Sequence, residues 1–203
     1  GIINVLNIND DPKLLNDYIF HIKTKASQLD NTIQSLVELI KSSRERLTFE
    51  KINIEELIES IVLKLSNREN FDNLNIIINN ISTDCDFYSN KFRVKIIIKA
   101  IISNAIQFQA QNKDDQNKLT IDIKINREKI IMKFWDNGTG IPPQIIDKVN
   151  GMFFRGSFQS KGAGMGLYIT DKIVKVLEGE MVIESKEGEW THVILKLPNR
   201  NPS

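Results

Sequence analysis

Between residues 119 and 137 the chain alternates apolar and polar residues twice over. LTIDIKIN and KIIMKFWDN each follow a two-residue period, the signature of strands with one face in a core and the other in water. With a short polar turn between them they predict a hairpin. Such a hairpin cannot stand alone in water, so another layer must cover its apolar face.

The flanking sequence supplies that layer. Asn53 is a candidate cap for a helix over IEELIESIVLKLS. NKFRVKIIIKAIISNAIQFQ predicts a second helix, and GMGLYITDKIVKVLEG a third, ended by Gly179. LNIIINNI and DCDFYS are strand candidates, and MVIESKEGEWTHVILKLPN reads as two strands around a turn. Residues 47–53 (LTFEKIN) read as a connector and AQNKDDQNK as a polar loop. The stretch from Ile141 to Lys161 is mostly irregular, with one short helix candidate in PQIIDKVN. The part after residue 53 is therefore mixed α+β: an α/β sandwich with a largely antiparallel sheet and helices on one face.

A different pattern precedes it. Residues 1–9 are apolar at roughly helical spacing, and Asp10, Asp11 and Pro12 mark a fresh helix start. From there to about Arg46 the apolar positions are Leu15, Tyr18, Ile22, Ala26, Leu29, Ile33, Leu36 and Ile40. Steps of three and four make a heptad-like seam, which needs a partner helix from a second copy or from sequence outside this chain.

Composition narrows the function. The 203 residues are 41% hydrophobic and 26% charged, an ordinary globular balance. With 27 basic and 26 acidic residues the net charge is +1, so no global field draws nucleic acid or an anionic membrane. Any anion must be bound locally. The single Cys85 rules out an intrachain disulfide. No run is long and apolar enough to span a bilayer, and GIINVLNINDDPK lacks the basic start and cleavage-like site of a signal peptide. The expected setting is cytoplasmic, without membrane contact by these residues.

Four short motifs then stand in order: Ser103-Asn104-Ala105-Ile106-Gln107-Phe108 on a helix, Asp136-Asn137-Gly138-Thr139-Gly140-Ile141 at a strand end, Met152-Phe153-Phe154-Arg155-Gly156 in the irregular stretch, and Gly162-Ala163-Gly164-Met165-Gly166-Leu167 opening a helix. Singly, each has an ordinary reading: a buried amide, a turn, core packing, glycines for close approach. As an ordered set they are far more specific. They resemble the N, G1, F and G2 boxes of histidine kinases, within the group of GHKL ATPases that share the Bergerat fold. The resemblance covers roughly residues 50–198, and SNAIQFQ, MFFRGS and GLYI favour the kinase branch.

The resemblance implies ATP and Mg²⁺ as cofactors and gives each box a task. Asp136 at a strand end can accept from an exocyclic amine, which suits adenine; Gly138 and Gly140 allow a tight turn and room for a flat ring. The glycines at 162, 164 and 166 precede a helix whose free N–H groups and dipole can hold phosphates. Asn104 offers a hard amide oxygen to Mg²⁺. Arg155 and Lys161 lie in the expected lid, where either can neutralise γ-phosphate charge. Gln107, Phe108, Ile141, Phe154, Met165, Leu167 and Thr191 complete the expected nucleotide-binding set, with Asn104 and Arg155 as the catalytic pair.

The family pattern is broken at two places. A polar residue, often Asn, usually stands four positions before the metal-binding Asn, and here that position is Ala100. A basic residue usually stands where this chain has Gln107. These departures keep open a catalytically weak pseudokinase that binds nucleotide and signals, and behind it a GHKL conformational ATPase. The phosphoacceptor is also missing. His21 lacks the following acidic, Arg and Pro residues and lies on the helix that resembles the second of the dimerisation hairpin; His192 lies in the last strand. The expected division is therefore residues 1–48 as part of a dimerisation and phosphotransfer hairpin and 49–203 as the catalytic ATP-binding domain. The acceptor histidine is expected upstream, with a homodimer through the hairpin and a response regulator receiver domain as partners.

Overall fold

A computed structural model of the chain describes residues 15–20, 22–26, 29–30, 33, 37, 40, 47–68, 70–110, 116–149, 151 and 165–201. The predicted stub at 1–9, the helix start at Asp10–Pro12 and His21 lie outside the described residues. Between Leu15 and Ile40 every described residue is helical. The seam is uncovered there: Leu15, Ile22, Leu29, Ile33 and Ile40 are 44% to 61% exposed.

The stretch read as a connector contains a strand. β1 (Glu50–Ile52) pairs antiparallel with β3 (Phe87–Ser89). Three residues are too few to show alternation in sequence; Ile52, opposite Phe87, is buried with it and holds the pair to the core. Asn53 caps the next helix, α1 (Ile54–Leu65), its side chain accepting from Glu56 N at 3.4 Å. Ile54, Leu57, Ile58, Ile61 and Leu65 are buried, the three- and four-residue spacing of a single apolar stripe.

Helix α2 (Lys91–Gln107) is capped by Asn90, whose Oδ1 accepts from Arg93 N at 3.0 Å. Ile96, Ile97 and Ile98 run consecutively, a β-branched stretch that by propensity favours a strand. All three are buried, because the helix packs against both α1 and α3 (Gly166–Val176) as well as the sheet. Full burial of such a side chain contributes about 1.5–3 kcal/mol. That outweighs a propensity difference of about 1 kcal/mol.

The main sheet has the order β2–β4–β5–β7–β6: β2 (Leu74–Thr83), β4 (Asn117–Ile125), β5 (Lys129–Asp136), β7 (Trp190–Pro198) and β6 (Glu180–Lys186). β2 and β4 are parallel and the other pairs antiparallel. The predicted hairpin is β4–β5, and Asn126 closes its turn by accepting from Glu128 N and Lys129 N at 3.0 and 2.8 Å. Leu119, Ile121, Ile123, Ile130, Met132, Phe134, Val193, Leu195 and Leu197 point into the core with the helices.

Two local expectations change. PQIIDKVN yields only a 3₁₀ turn, Ile146–Lys148, without a side-chain cap. The end of α3 is built differently from the glycine stop expected. The left-handed residue is Glu178, with φ of 57°. Glu178 N donates to Lys175 O and Gly179 N to Val174 O, at 3.0 and 2.9 Å, which together close the helix. Gly179 is needed for close approach instead: a Cβ there would stand 2.5 Å from Lys196 O and 2.6 Å from Leu197 Cδ2. Glu178 is ion-paired with Arg200. Beside it Asn199 ties β3 to the sheet: Oδ1 accepts from Tyr88 N at 2.9 Å, and Nδ2 donates to Asp86 O and Asn126 O at 2.8 and 3.0 Å.

Among the described residues no helix is long and apolar enough to cross a membrane. The contrast at the end of α3 is testable by urea denaturation. Gly179→Ala should lose about 1–3 kcal/mol, the usual cost of forcing atoms into a packed site. Glu178→Gly, which suits the left-handed position, should change stability by less than about 1 kcal/mol.

Candidate functional site: a loop, two helix ends and a row across the sheet

The site is assembled where β5 ends. Asp136 is the last residue of that strand. In register it lies between Leu119 of β4 and Thr191 of β7, and Thr191 in turn lies opposite Ser185 of β6. Residues directly opposite on paired strands point to the same face. Leu119, Asp136, Thr191 and Ser185 therefore form one row on the helix-covered face, passing from hydrocarbon to carboxylate to two hydroxyls. Asp136 and Thr191 are both half-buried.

Beyond Asp136 the chain turns sharply. Gly138 N donates to Asp136 Oδ1 at 3.0 Å, which orients the carboxylate from within its own loop. Gly138 lies against the end of α2, where a Cβ would collide with the carbonyl of Phe108. Thr139 N donates to that same carbonyl at 2.8 Å. Gly140 has φ of +63° and is pressed against the Lys186 carbonyl, so both of its requirements exclude a side chain. Gly188 N then donates to Thr139 O at 2.7 Å, and Ile141 N to Ser185 Oγ at 2.8 Å. The loop is thus stitched to α2 on one side and to the β6–β7 turn on the other.

The remaining wall comes from two helices. Gly166 opens α3, and a Cβ placed on it would be 4.0 Å from both Ala100 Cβ and Asn104 Oδ1. The start of α3 therefore faces the Asn104 side of α2. Its cap residue, Met165, makes no side-chain cap bond, so the first turn of α3 receives no side-chain acceptor from its cap residue. Thr170 Oγ1 donates to Gly166 O at 2.9 Å and steadies that turn. Among the described residues no group of three or more His, Cys, Asp or Glu could hold a metal ion.

Of the residues expected from sequence, Asn104, Gln107, Asp136, Gly138, Gly140, Ile141, Gly166 and Leu167 lie on these converging elements, and Thr191 lies beside Asp136 in the row. Two further expected residues have clear surroundings. Phe108 contributes its carbonyl to Thr139 and is an exposed residue. Met165 is fully buried, so its side chain belongs to the core beneath the site. Phe154, Arg155, Lys161, Gly162 and Gly164 lie outside the described residues. Two residues were not expected. Asn137 is buried, with Oδ1 accepting from Lys118 N at 2.7 Å and Nδ2 donating to Gln116 O at 3.1 Å; in sequence it passes for a turn former. Ser185 occupies a position where the alternation of Met181 and Ile183 calls for an apolar residue, and that mismatch was its only signal.

A mixed five-stranded sheet covered on one face by helices, with an acid ending one strand and a glycine opening a helix, is the architecture of a Bergerat-type fold. Residues 89–201, more than half of the chain, match the family described as "Histidine kinase-, DNA gyrase B-, and HSP90-like ATPase", and the chain belongs to that family. Among curated proteins it is similar to sporulation kinase E of Bacillus subtilis, 22% identical over 186 residues, covering 91% of this chain and 24% of that one. Sporulation kinase C of the same organism is 25% identical over 188 residues, covering 92% of this chain and 42% of the kinase. The chain thus spans less than half the length of either relative. Among solved structures the fold resembles histidine kinase ThkA in complex with the response regulator protein TrrA, with a TM-score of 0.71 at 24% identity, covering 98% of this chain and 55% of that one. Full-length ShkA in complex with AMPPNP gives a TM-score of 0.69 at 16% identity, covering 95% and 40%.

Asn137→Ala removes both partners of a buried clamp and leaves Lys118 N and Gln116 O without their bonds. The expected loss is about 1–3 kcal/mol, measured by urea denaturation.

Proposed function

We propose that residues 49–203 are the catalytic ATP-binding domain of a sensor histidine kinase and that residues 1–48 are part of its dimerisation and phosphotransfer hairpin. The domain binds ATP with Mg²⁺ and transfers the γ-phosphate to a histidine outside these residues, for relay to a response regulator receiver domain. The observation that carries this reading is that the Asp136 loop is bonded to the end of the same helix, α2, whose Asn104 faces the glycine-started first turn of α3.

Each part has a physical task. The Asp136 carboxylate accepts from the exocyclic amine of adenine, with Thr191 beside it. The first turn of α3 offers backbone N–H groups and a positive dipole end to the phosphates, so a near-neutral chain can still bind a polyanion. Asn104 would hold Mg²⁺, which when bound spreads the charge of the phosphates. Arg155 and Lys161 are assigned to the lid over the γ-phosphate by the family pattern. The uncovered seam on the helix from Leu15 to Ile40 supports a homodimer through that element.

A second reading, a nucleotide-binding pseudokinase, is favoured by Ala100. Its methyl group faces the start of α3 next to Asn104, where a polar side chain could otherwise order water or phosphate. Incubating the full-length protein with γ-labelled ATP separates the two. Acid-labile, base-stable label is expected on the protein, lost in Asn104→Ala. Measurable ATP binding without label would support the pseudokinase. In either case Ala100→Asn, which restores the polar group, should raise the rate of labelling, by about tenfold if it supplies one hydrogen bond of transition-state stabilisation.

A further inference from the structure

The Ser185 hydroxyl touches three groups, and their chemistry decides where every proton goes. Its oxygen lies 2.7 Å from Trp190 O, 2.8 Å from Ile141 N and 3.2 Å from Thr191 Oγ1. A carbonyl oxygen can only accept, so the shortest of these contacts requires the single Ser185 proton. A backbone N–H can only donate, so Ile141 occupies one lone pair of Ser185. One lone pair remains for Thr191, and it can be used only if Thr191 is the donor. The Ser185 hydroxyl is then saturated, with one bond given and two received.

The consequence falls on Thr191. Its only proton is turned toward β6, so its oxygen presents lone pairs alone to the space beside Asp136, its register partner on β5. The two neighbouring polar groups at this end of the row, carboxylate and hydroxyl, thus both act as acceptors. We infer that Ser185 is a specificity-determining positioning residue: by taking the Thr191 proton it fixes that hydroxyl as an acceptor and makes the base pocket select an exocyclic amine over an exocyclic carbonyl. Left free to rotate, a threonine hydroxyl donates as readily as it accepts and discriminates between neither. The Ser185 side chain acts through Thr191 and does not itself meet the nucleotide.

This inference rests on the adenine-binding reading above, and the test separates the two. The whole chain is titrated with ATP and with inosine 5′-triphosphate, which carries a carbonyl in place of the amine. The wild-type protein should prefer ATP. Ser185→Ala releases the Thr191 proton to face the ligand, so it should weaken ATP, improve the inosine nucleotide and narrow the preference by about tenfold, the worth of roughly one or two hydrogen bonds. Ser185→Thr keeps the hydroxyl and should keep the preference. Thr191→Val removes the acceptor, should also narrow the preference, and does not depend on the stability of Ser185→Ala. In the Thr191→Val background, changing Ser185 should leave the ratio where it is. A merely structural role for Ser185 would weaken both nucleotides alike and leave their ratio unchanged, which would overturn the assignment. So would a Thr191→Val variant with the wild-type ratio. A wild-type protein that binds both nucleotides equally would instead sink the adenine reading itself.

Discussion

One backbone hydrogen bond, from Thr139 N to the carbonyl of Phe108, joins the two halves of this site. Phe108 is the C-cap of α2, and Thr139 belongs to the loop after β5. The bond forms only because Gly138 lets the loop press against that carbonyl without a side chain between. Much of the geometry of the candidate site follows from it. Asn104 lies one turn before Phe108 on the same helix, with Phe108 N bonded back to Asn104 O at 2.9 Å. Asp136 lies three residues before Thr139. Fixing the cap to the loop therefore fixes the amide that faces α3 relative to the carboxylate of the strand end.

Rigidity at that joint depends on α2 being held from several sides. A helix with one apolar stripe could roll against a sheet. This one buries Ile97, Ile98, Ile101, Ile102 and Ala105 along with Ile96 and Ile106, and its neighbours α1, α3 and the sheet leave no direction in which all of them would stay covered. Asn90 fixes its other end twice over. Oδ1 caps the helix through Arg93 N, and Nδ2 donates to Thr48 O at 3.1 Å. The connector that follows the exposed seam is thus bonded to the start of the same helix that carries Asn104 near its end.

Much of this was legible in the sequence, and the reasons are physical. The β4–β5 hairpin was plain because a half-buried strand repeats every two residues, and Leu119 through Phe134 obey that repeat. The glycines at 138 and 140 were legible because a tight turn and a close backbone approach need that residue type. What escaped was specified by partners far along the chain. β1 exists because Ile52 meets Phe87. The left-handed turn falls on Glu178 because Gly179 is claimed by the close approach of Lys196 and Leu197. Asn137 gives no local sign that its amide is spent on β4. Ser185 showed itself only as a break in an apolar alternation. Local periodicity reveals strands and helices; the polar contacts that aim a site across strands do not repeat, and so leave little trace.

Those polar contacts bear on the proposed function, in which a chain with a net charge of +1 takes a highly charged ligand. Around Asp136 several of the contacts are neutral hydrogen bonds: Asn137 to Lys118 N and Gln116 O, Ile141 N to Ser185, and the Gly138 N–H to the Asp136 carboxylate itself. The Gly138 N–H bond orients the Asp136 carboxylate from within its own loop, without a long side chain having to be ordered for the purpose. In the proposed function, attraction for the phosphates falls to other groups, the helix terminus at Gly166 and the Asn104 amide. Separating the two tasks keeps them independent. A change that alters how firmly phosphate is held need not change which base is accepted, and a change in hydroxyl orientation on β7 need not disturb the phosphates.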